Sequence, residues 1–411
     1  MSEYPKIPIS AFAGFGIELE YMIVDDQSLA VRPLAERLLI DADGLVRNEV
    51  EHGEIAWSNE LVSHVVELKT NGPAASLQGL ANRFQDNIRV INSALEDEGA
   101  RLLPSAMHPL FDPARETRLW PHGQNTIYQA YDRIFGCSGH GWSNLQSMHI
   151  NLPFADDQEF IRLHAAIRVV LPLIPALSAS SPLEQGQPAN WLDGRLRYYR
   201  ENQRKVPSIS GPVIPEAVES MADYHRKILD PMYRDITPWD PNSELQDDWL
   251  NSRAAIARFE RQAIEIRIID LQECPAADLA IAELVVALVR AFYDETLATF
   301  EEQQAASTEH LAELLWASSR SGDRALLEEA ALLGLYGLTC TTSLREYWRS
   351  MLARLDGISE TSRDWLEAML ARGPLARAIL ERVGAVPSPT SIVDCYRELA
   401  QCLAEQRLFE P

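Results

Sequence analysis

The stretch Gly16-Ile17-Glu18-Leu19-Glu20-Tyr21-Met22-Ile23-Val24 constrains this chain more than any other. Its apolar, β-branched and aromatic residues, bounded by Gly16 and by Asp25-Asp26, read as a β-strand. Period-two alternation puts Glu18 and Glu20 on one face and Ile17, Leu19 and Tyr21 on the other. Adjacent carboxylates on one face repel each other. A strand can carry them if that face is open to water. It can also carry them if the face is a shelf for a divalent cation, because Mg²⁺ is held by carboxylate oxygens. The pair alone does not choose between the two, so the choice falls to the rest of the chain.

Two later strands repeat the pattern. Residues 143–154 carry His149 and Asn151, and residues 263–269 carry Glu265 and Arg267, again two apart. Their neighbours Met148, Ile150, Ile264 and Ile266 would face a core. A fourth segment, residues 60–68, adds Glu60 and Glu67 among apolar residues. These two have opposite parity, so a bulge or a turn must intervene before both can serve one site. Five glutamates and one histidine in apolar surroundings are costly to bury unless they coordinate cations. Oxygen-rich ligation with a single imidazole suits Mg²⁺ or Mn²⁺ better than zinc, which favours sulfur and nitrogen.

Between these strands, residues 34–45 read as a short helix. Residues 76–100 have apolar positions at helical spacing (Leu77, Leu80, Phe84, Ile88, Ile91, Leu95). Residues 101–107 read as a strand, and 126–135 and 160–177 as helices. Residues 182–215 are irregular and rich in arginine, and a loop of that length inside a compact chain is more often functional than idle. Beyond Pro275 helical patterns replace strands. The expected class is α+β, with a strand-bearing catalytic part over residues 1–275 and a helical region, 276–411, packed on it. The apolar surface of that helical region could serve a homo-oligomer.

The formal charge of −23 argues against a nucleic-acid or anionic-membrane partner. A polyanionic ligand would need metal ions or a local arginine cluster. The five cysteines are scattered without CxxC spacing, as expected of reduced thiols in a cytosolic protein. No basic region followed by an apolar run opens the chain, and the apolar residues 169–177 are too few to span a bilayer and contain two prolines. A cytoplasmic location is expected.

The ordered motifs Gly16-Ile17-Glu18-Leu19-Glu20, Glu60…Glu67, Ser147-Met148-His149-Ile150-Asn151 and Ile264-Glu265-Ile266-Arg267 resemble the metal motifs of the glutamine synthetase-like superfamily. Within it they most resemble the glutamate–cysteine ligase type 2, or carboxylate–amine ligase, family. The resemblance covers about residues 14–275. It implies a curved antiparallel sheet forming an open, funnel-like active site with helices packed outside. It also implies an ATP-dependent ligase joining glutamate to cysteine or another small amine through an acyl phosphate. Carried over, Glu20, Glu60 and Glu67 would hold one Mg²⁺ or Mn²⁺, and Glu18, His149 and Glu265 another. Arg267 would stabilise the transferred phosphoryl group, with Asn151 beside the nucleotide. The substrate's α-carboxylate would need an arginine, for which Arg195, Arg197, Arg200 and Arg204 are candidates, Arg195 and Arg200 first among them. Gln146, Asn144 and Tyr128 would contact substrate or nucleotide.

Two other functions fit the same residues. A guanidino-kinase-type phosphotransferase would stop at phosphoryl transfer, and a non-catalytic nucleotide- and metal-binding regulator would not turn over. Gly14-x-Gly16 lacks the third glycine and following helix of a dinucleotide loop. His140 and His149 with Cys137 read as an exposed loop histidine and a buried thiol, not a zinc site. His64 reads as structural, and Cys395 and Cys402, seven apart on a helix, share a buried face.

Overall fold

A computed structural model describes residues 8–411. The alternation seen in the sequence becomes the central strand of an eight-stranded, wholly antiparallel open sheet. In chain order its strands are β1 (Gly16–Asp25), β2 (Glu49–His52), β3 (Ile55–Asn59), β4 (Val65–Thr70), β5 (Ala100–Leu103), β6 (Ser147–Pro153), β7 (Ala255–Arg258) and β8 (Ala263–Asp270). Their order in the sheet is β2-β3-β4-β1-β6-β8-β7, and β5 pairs with the second half of β1. Gly16 lies opposite Asn151, where a Cβ would come within 2.9 Å of the Asn151 Cβ, so only glycine admits this approach.

The face of β1 carrying Ile17, Leu19 and Tyr21 is fully buried. It packs with Phe84, Ile88 and Ile91 of α1 (Leu80–Glu96) and with Leu284 and Val285 of α5 (Pro275–Tyr293) in one continuous core. The other long helices that bear on the argument are α2 (Asn125–Phe135), α3 (Asp157–Val170) and α4 (Gly194–Glu201). A smaller core joins Met22, Val24 and Leu103 to Cys395 and Cys402 of a helix over Pro389–Glu405. The fold is α+β, with helices against the sheet and a helical C-terminal part. No helix among the described residues is long and apolar enough to cross a membrane.

Several sequence expectations are corrected. The helix expected over 34–45 shrinks to Ala35–Leu38, whereas 160–177 is helical as expected but broken at its prolines into a helix to Val170, a 3₁₀ turn over Leu171–Leu173 and a short helix over Pro175–Ser178. The irregular stretch 182–215 contains α4. The strand expected from residue 143 begins at Ser147, and β7 went unread because four residues carry too little pattern. Beyond Pro275, the expectation of helix alone is broken by a two-stranded ribbon, Leu326–Leu327 with Thr342–Ser343.

Candidate active site

Sheet register assembles the site. Glu18 pairs across strands with His149, Glu20 with Glu67, and Asn151 with Glu265. The parity problem of Glu60 and Glu67 resolves because they lie on either side of a turn: Glu60 follows the end of β3, and Glu67 sits within β4.

His149 is the hub. Its Nδ1 is 2.9 Å from Glu18 Oε2 and 3.5 Å from Glu265 Oε1, and its Nε2 is 3.7 Å from Glu20 Oε1. The Ser147 backbone N–H donates to Glu20 Oε2 at 2.7 Å, and the Ser58 hydroxyl donates to Glu67 Oε1 at 2.7 Å. Two donor sets result, Glu18–His149–Glu265 and Glu20–Glu67–His149, each with its ligand atoms within 4.8 Å of one another. Carboxylate oxygens with one imidazole nitrogen are a fitting set for a hard divalent cation.

The electrostatics divide the acids. Burial pushes Glu18 and Glu265 up. For Glu18 the nearby Glu265 adds to the rise, but the His149 hydrogen bond and charge bring it below the ordinary carboxylate range. For Glu265 the charges of Arg267, His149 and Arg258 do the same. Burial holds Glu20 above its ordinary value, His149 opposing and Glu67 reinforcing the shift. Glu60 is pushed well above it by burial and by the charges of Glu20, Glu67 and Glu18. Burial disfavours the His149 imidazolium, but the three surrounding glutamates more than offset it and raise its pKa.

Cations ring these acids. Arg267 Nε lies 3.0 Å from Glu265 Oε1. Arg258 donates to Glu265 at 3.1 Å and to Asp248 at 2.9 Å. Lys69 is 2.7 Å from Glu49 and 3.3 Å from Glu67, and Arg261 is 3.6 Å from Glu18. None of Arg258, Arg261 and Lys69 was singled out from sequence. Lys69 had a signal, since it lies two residues after Glu67 on the same strand face.

Two cavities adjoin here. One of about 470 Å³ takes in both donor sets with Glu60, Arg195, Arg267 and Tyr128. The other, of about 570 Å³, runs along Gly14–Gly16, the Asn71-Gly72-Pro73 turn and Asn151. Glu18, Glu49, Lys69 and Arg261 border both.

The remaining expected residues are sorted by this geometry. Glu60 borders the first cavity but stands outside both donor sets, where His149 takes its place. Asn151 donates to Glu18 at 3.1 Å. Arg195 lies buried at the cavity wall, its Nε donating to Asp270 at 2.6 Å and its Nη2 without a partner among the described residues. Tyr128 accepts a hydrogen bond from Asn59 at 2.9 Å. Arg200 is a correction. It is exposed and stacks on Trp316 with 5.0 Å to the ring centroid, because five residues along α4 from Arg195 turn it away from the cavity. Asn144 and Gln146 are corrections too. They precede β6, neither lines the cavity, and the Asn144 amide is spent on both backbone groups of His108 and on His140. His64 is buried, with Nε2 2.8 Å from the Ser143 carbonyl.

Residues 14–333 match the model of glutamate–cysteine ligase family 2. The chain belongs to this family. It is therefore a ligase that forms a carbon–nitrogen bond, of the carboxylate–amine type. An uncharacterised protein of Archaeoglobus fulgidus is 32% identical over 96% of this chain and 99% of its own length. A Rubrobacter xylanophilus protein provisionally named glutamate–cysteine ligase 2-3 is 28% identical over 88% of this chain and 92% of its own. Among solved structures, the glutamate–cysteine ligase of Francisella tularensis in complex with AMP superposes with a TM-score of 0.59 at 12% identity, covering 98% of this chain and 90% of that one. A bifunctional glutathione synthetase from Pasteurella multocida gives 0.58 at 15% identity, covering 96% of this chain and 53% of that one. At these identities the superpositions speak to the fold.

Proposed function

We propose that the chain is a cytoplasmic, ATP- and Mg²⁺-dependent ligase that joins the γ-carboxylate of glutamate to cysteine or another small amine through an acyl phosphate. The observation that carries this reading is the pair of donor sets sharing His149 where two cavities meet. Glu18, His149 and Glu265 would hold one Mg²⁺ or Mn²⁺, and Glu20 and Glu67, bordered by Glu60, a second. Such ions, when bound, neutralise phosphate oxygens, which a chain of charge −23 otherwise repels.

ATP then belongs in the 570 Å³ cavity beside Asn151, with its γ-phosphate toward Glu18. The fold accommodates an adenine nucleotide in the Francisella enzyme. Glutamate belongs in the 470 Å³ cavity, its α-carboxylate toward Arg195, whose side chain is part of the lining. Its γ-carboxylate oxygen attacks the γ-phosphorus, the bond to the ADP oxygen breaks, and ADP leaves. Arg267, kept protonated because Tyr199, Glu265 and Glu20 outweigh its burial, stabilises the charge spread over the transferring oxygens. The amine nitrogen then attacks the acyl carbon, the carbon–oxygen bond to phosphate breaks, and inorganic phosphate leaves while a proton passes to water.

Incubation with ATP, Mg²⁺, glutamate and a panel of amines tests the reading. Amine-dependent phosphate release is the expected result. ADP without phosphate would indicate a kinase instead, and silence across the panel a regulator.

A further inference from the structure

A third cavity, of about 390 Å³ and open to solvent, shares no lining residue with the two described above. Arg320, Arg324 and Arg377 line it with Asn190, Trp191 and Ser321, and no carboxylate is among its lining residues. Three stretches supply the cations: the end of the helix over Thr308–Ser321, the 3₁₀ turn over Gly322–Arg324 and the helix over Leu375–Val383. In a chain with 60 acidic residues against 37 lysines and arginines, an acid-free wall of three arginines runs against the overall balance.

Contacts that hold the fold together account for one of the three. Arg377 donates to Asp323 at 2.7 Å and to the Ser321 carbonyl at 2.7 Å, and so ties its helix to the end of the first. Asp323 is buried and shared with Arg345, so one carboxylate serves two guanidinium groups. Arg320 and Arg324 are exposed, and neither has a carboxylate partner among the described residues. Arg320 is nonetheless held in place. Its guanidinium lies over the ring of Trp191, 4.7 Å from the centroid, and Trp316 meets that ring edge-on at 6.3 Å. The ring positions the guanidinium while consuming none of its N–H donors.

We propose that this cavity binds a small multivalent oxyanion, of the phosphate or polycarboxylate kind, between Arg320, Arg324 and Arg377. Planar guanidinium groups match the oxygens of such an anion in pairs. Like charges gathered at one cavity repel each other, and a monovalent anion would leave most of that repulsion standing. The site needs neither nucleotide nor metal, so it does not depend on the ligase reading above.

The test titrates the full chain, free of metal and at low salt, with inorganic phosphate, citrate or acetate in a calorimeter. Without metal the glutamates lining the 470 Å³ cavity repel anions, which keeps that cavity out of the measurement. Phosphate or citrate is expected to bind at one site per chain, and the tighter of the two identifies the source. Acetate should be weaker by about tenfold or more, and added NaCl should lower every affinity. The double variant Arg320→Gln/Arg324→Gln is expected to weaken binding by about tenfold or more while keeping the wild-type melting temperature, since both side chains are exposed. Arg83→Gln/Arg89→Gln removes the same charge from α1 and should leave affinity within about twofold. An equal loss in both double variants would show a general charge effect and overturn the proposal. So would the absence of binding to the wild type by about 10 mM phosphate or citrate.

Discussion

The two faces of β1 are built from alternate residues of one short stretch, yet obey different rules. Ile17, Leu19 and Tyr21 are buried among α1 and α5, where what matters is volume and fit. Glu18 and Glu20, one residue away, are almost as buried, but against His149, Glu67 and Glu265. On the first face each contact stabilises the fold. On the second, burial opposes every charge, and the residues tolerate one another only as a set. The contrast shows that burial alone does not mark a core. The alternation that makes a strand also separates the residues that hold the protein together from those proposed to do its chemistry.

Substitutions on the two faces should therefore fail in opposite ways. The largest effect is expected from Glu20→Gln, which should lower turnover by about a thousandfold. Its melting temperature without metal should be unchanged or higher, because a carboxylate whose pKa burial has raised becomes a neutral amide. Thermal melts beside phosphate-release rates check both halves, and a destabilised Glu20→Gln would blur the distinction. Leu19→Ala removes a fully buried side chain and should cost about 2–5 kcal/mol in denaturant unfolding. Whatever fraction stays folded should retain its turnover.

The core side has its own acid sensitivity. Burial lowers His108 to about 4 and His164 to about 3, with Arg168 and Arg253 adding to the fall at His164. Their folded pKa values lie below the unfolded value of about 6.5, so the unfolded chain binds more protons in that window. Stability should be full above about pH 6.5 and fall as pH drops toward 4. A His164→Leu variant should lose roughly 1.4 kcal/mol less per pH unit across that range, measured by unfolding at pH 7 and pH 5. The smallest effect belongs to Arg200→Ala, on the exposed surface, which should change stability by about 0.5 kcal/mol or less and leave turnover as it is. A large loss of activity there would return Arg200 to the site.

What could be read from sequence follows the same division. Glu18, Glu20, His149, Glu265 and Arg267 lie on strands, where period two fixes the face and a one-residue error would bury every charge in the core. Their convergence then required only that the strands be neighbours, as β1, β6 and β8 are. Residues off the strands had no such rule. With 182–215 read as irregular, Arg195 and Arg200 looked equivalent, whereas the turn of α4 separates them. Asn144 sits in a stretch whose residues suit a strand, but it belongs to the turn before it. Arg258 stands at the end of a four-residue strand, too short for period two to show, although its pairing with β8 is a local hairpin. The aromatic cluster of Tyr131, Trp142 and Trp249 joins a helix and the loop just after it to a residue about a hundred positions later, and no local period announces it.

The central claim is that the charged face of β1 is a divalent-metal shelf organised around His149. Titration of Mn²⁺ into the wild-type chain and into His149→Ala, at pH 7 without nucleotide, tests it most directly. The account predicts binding to the wild type and a loss of affinity of about 10- to 100-fold or more in the variant, because both donor sets share that imidazole. Equal affinity in the two proteins, or no binding to either, would contradict it.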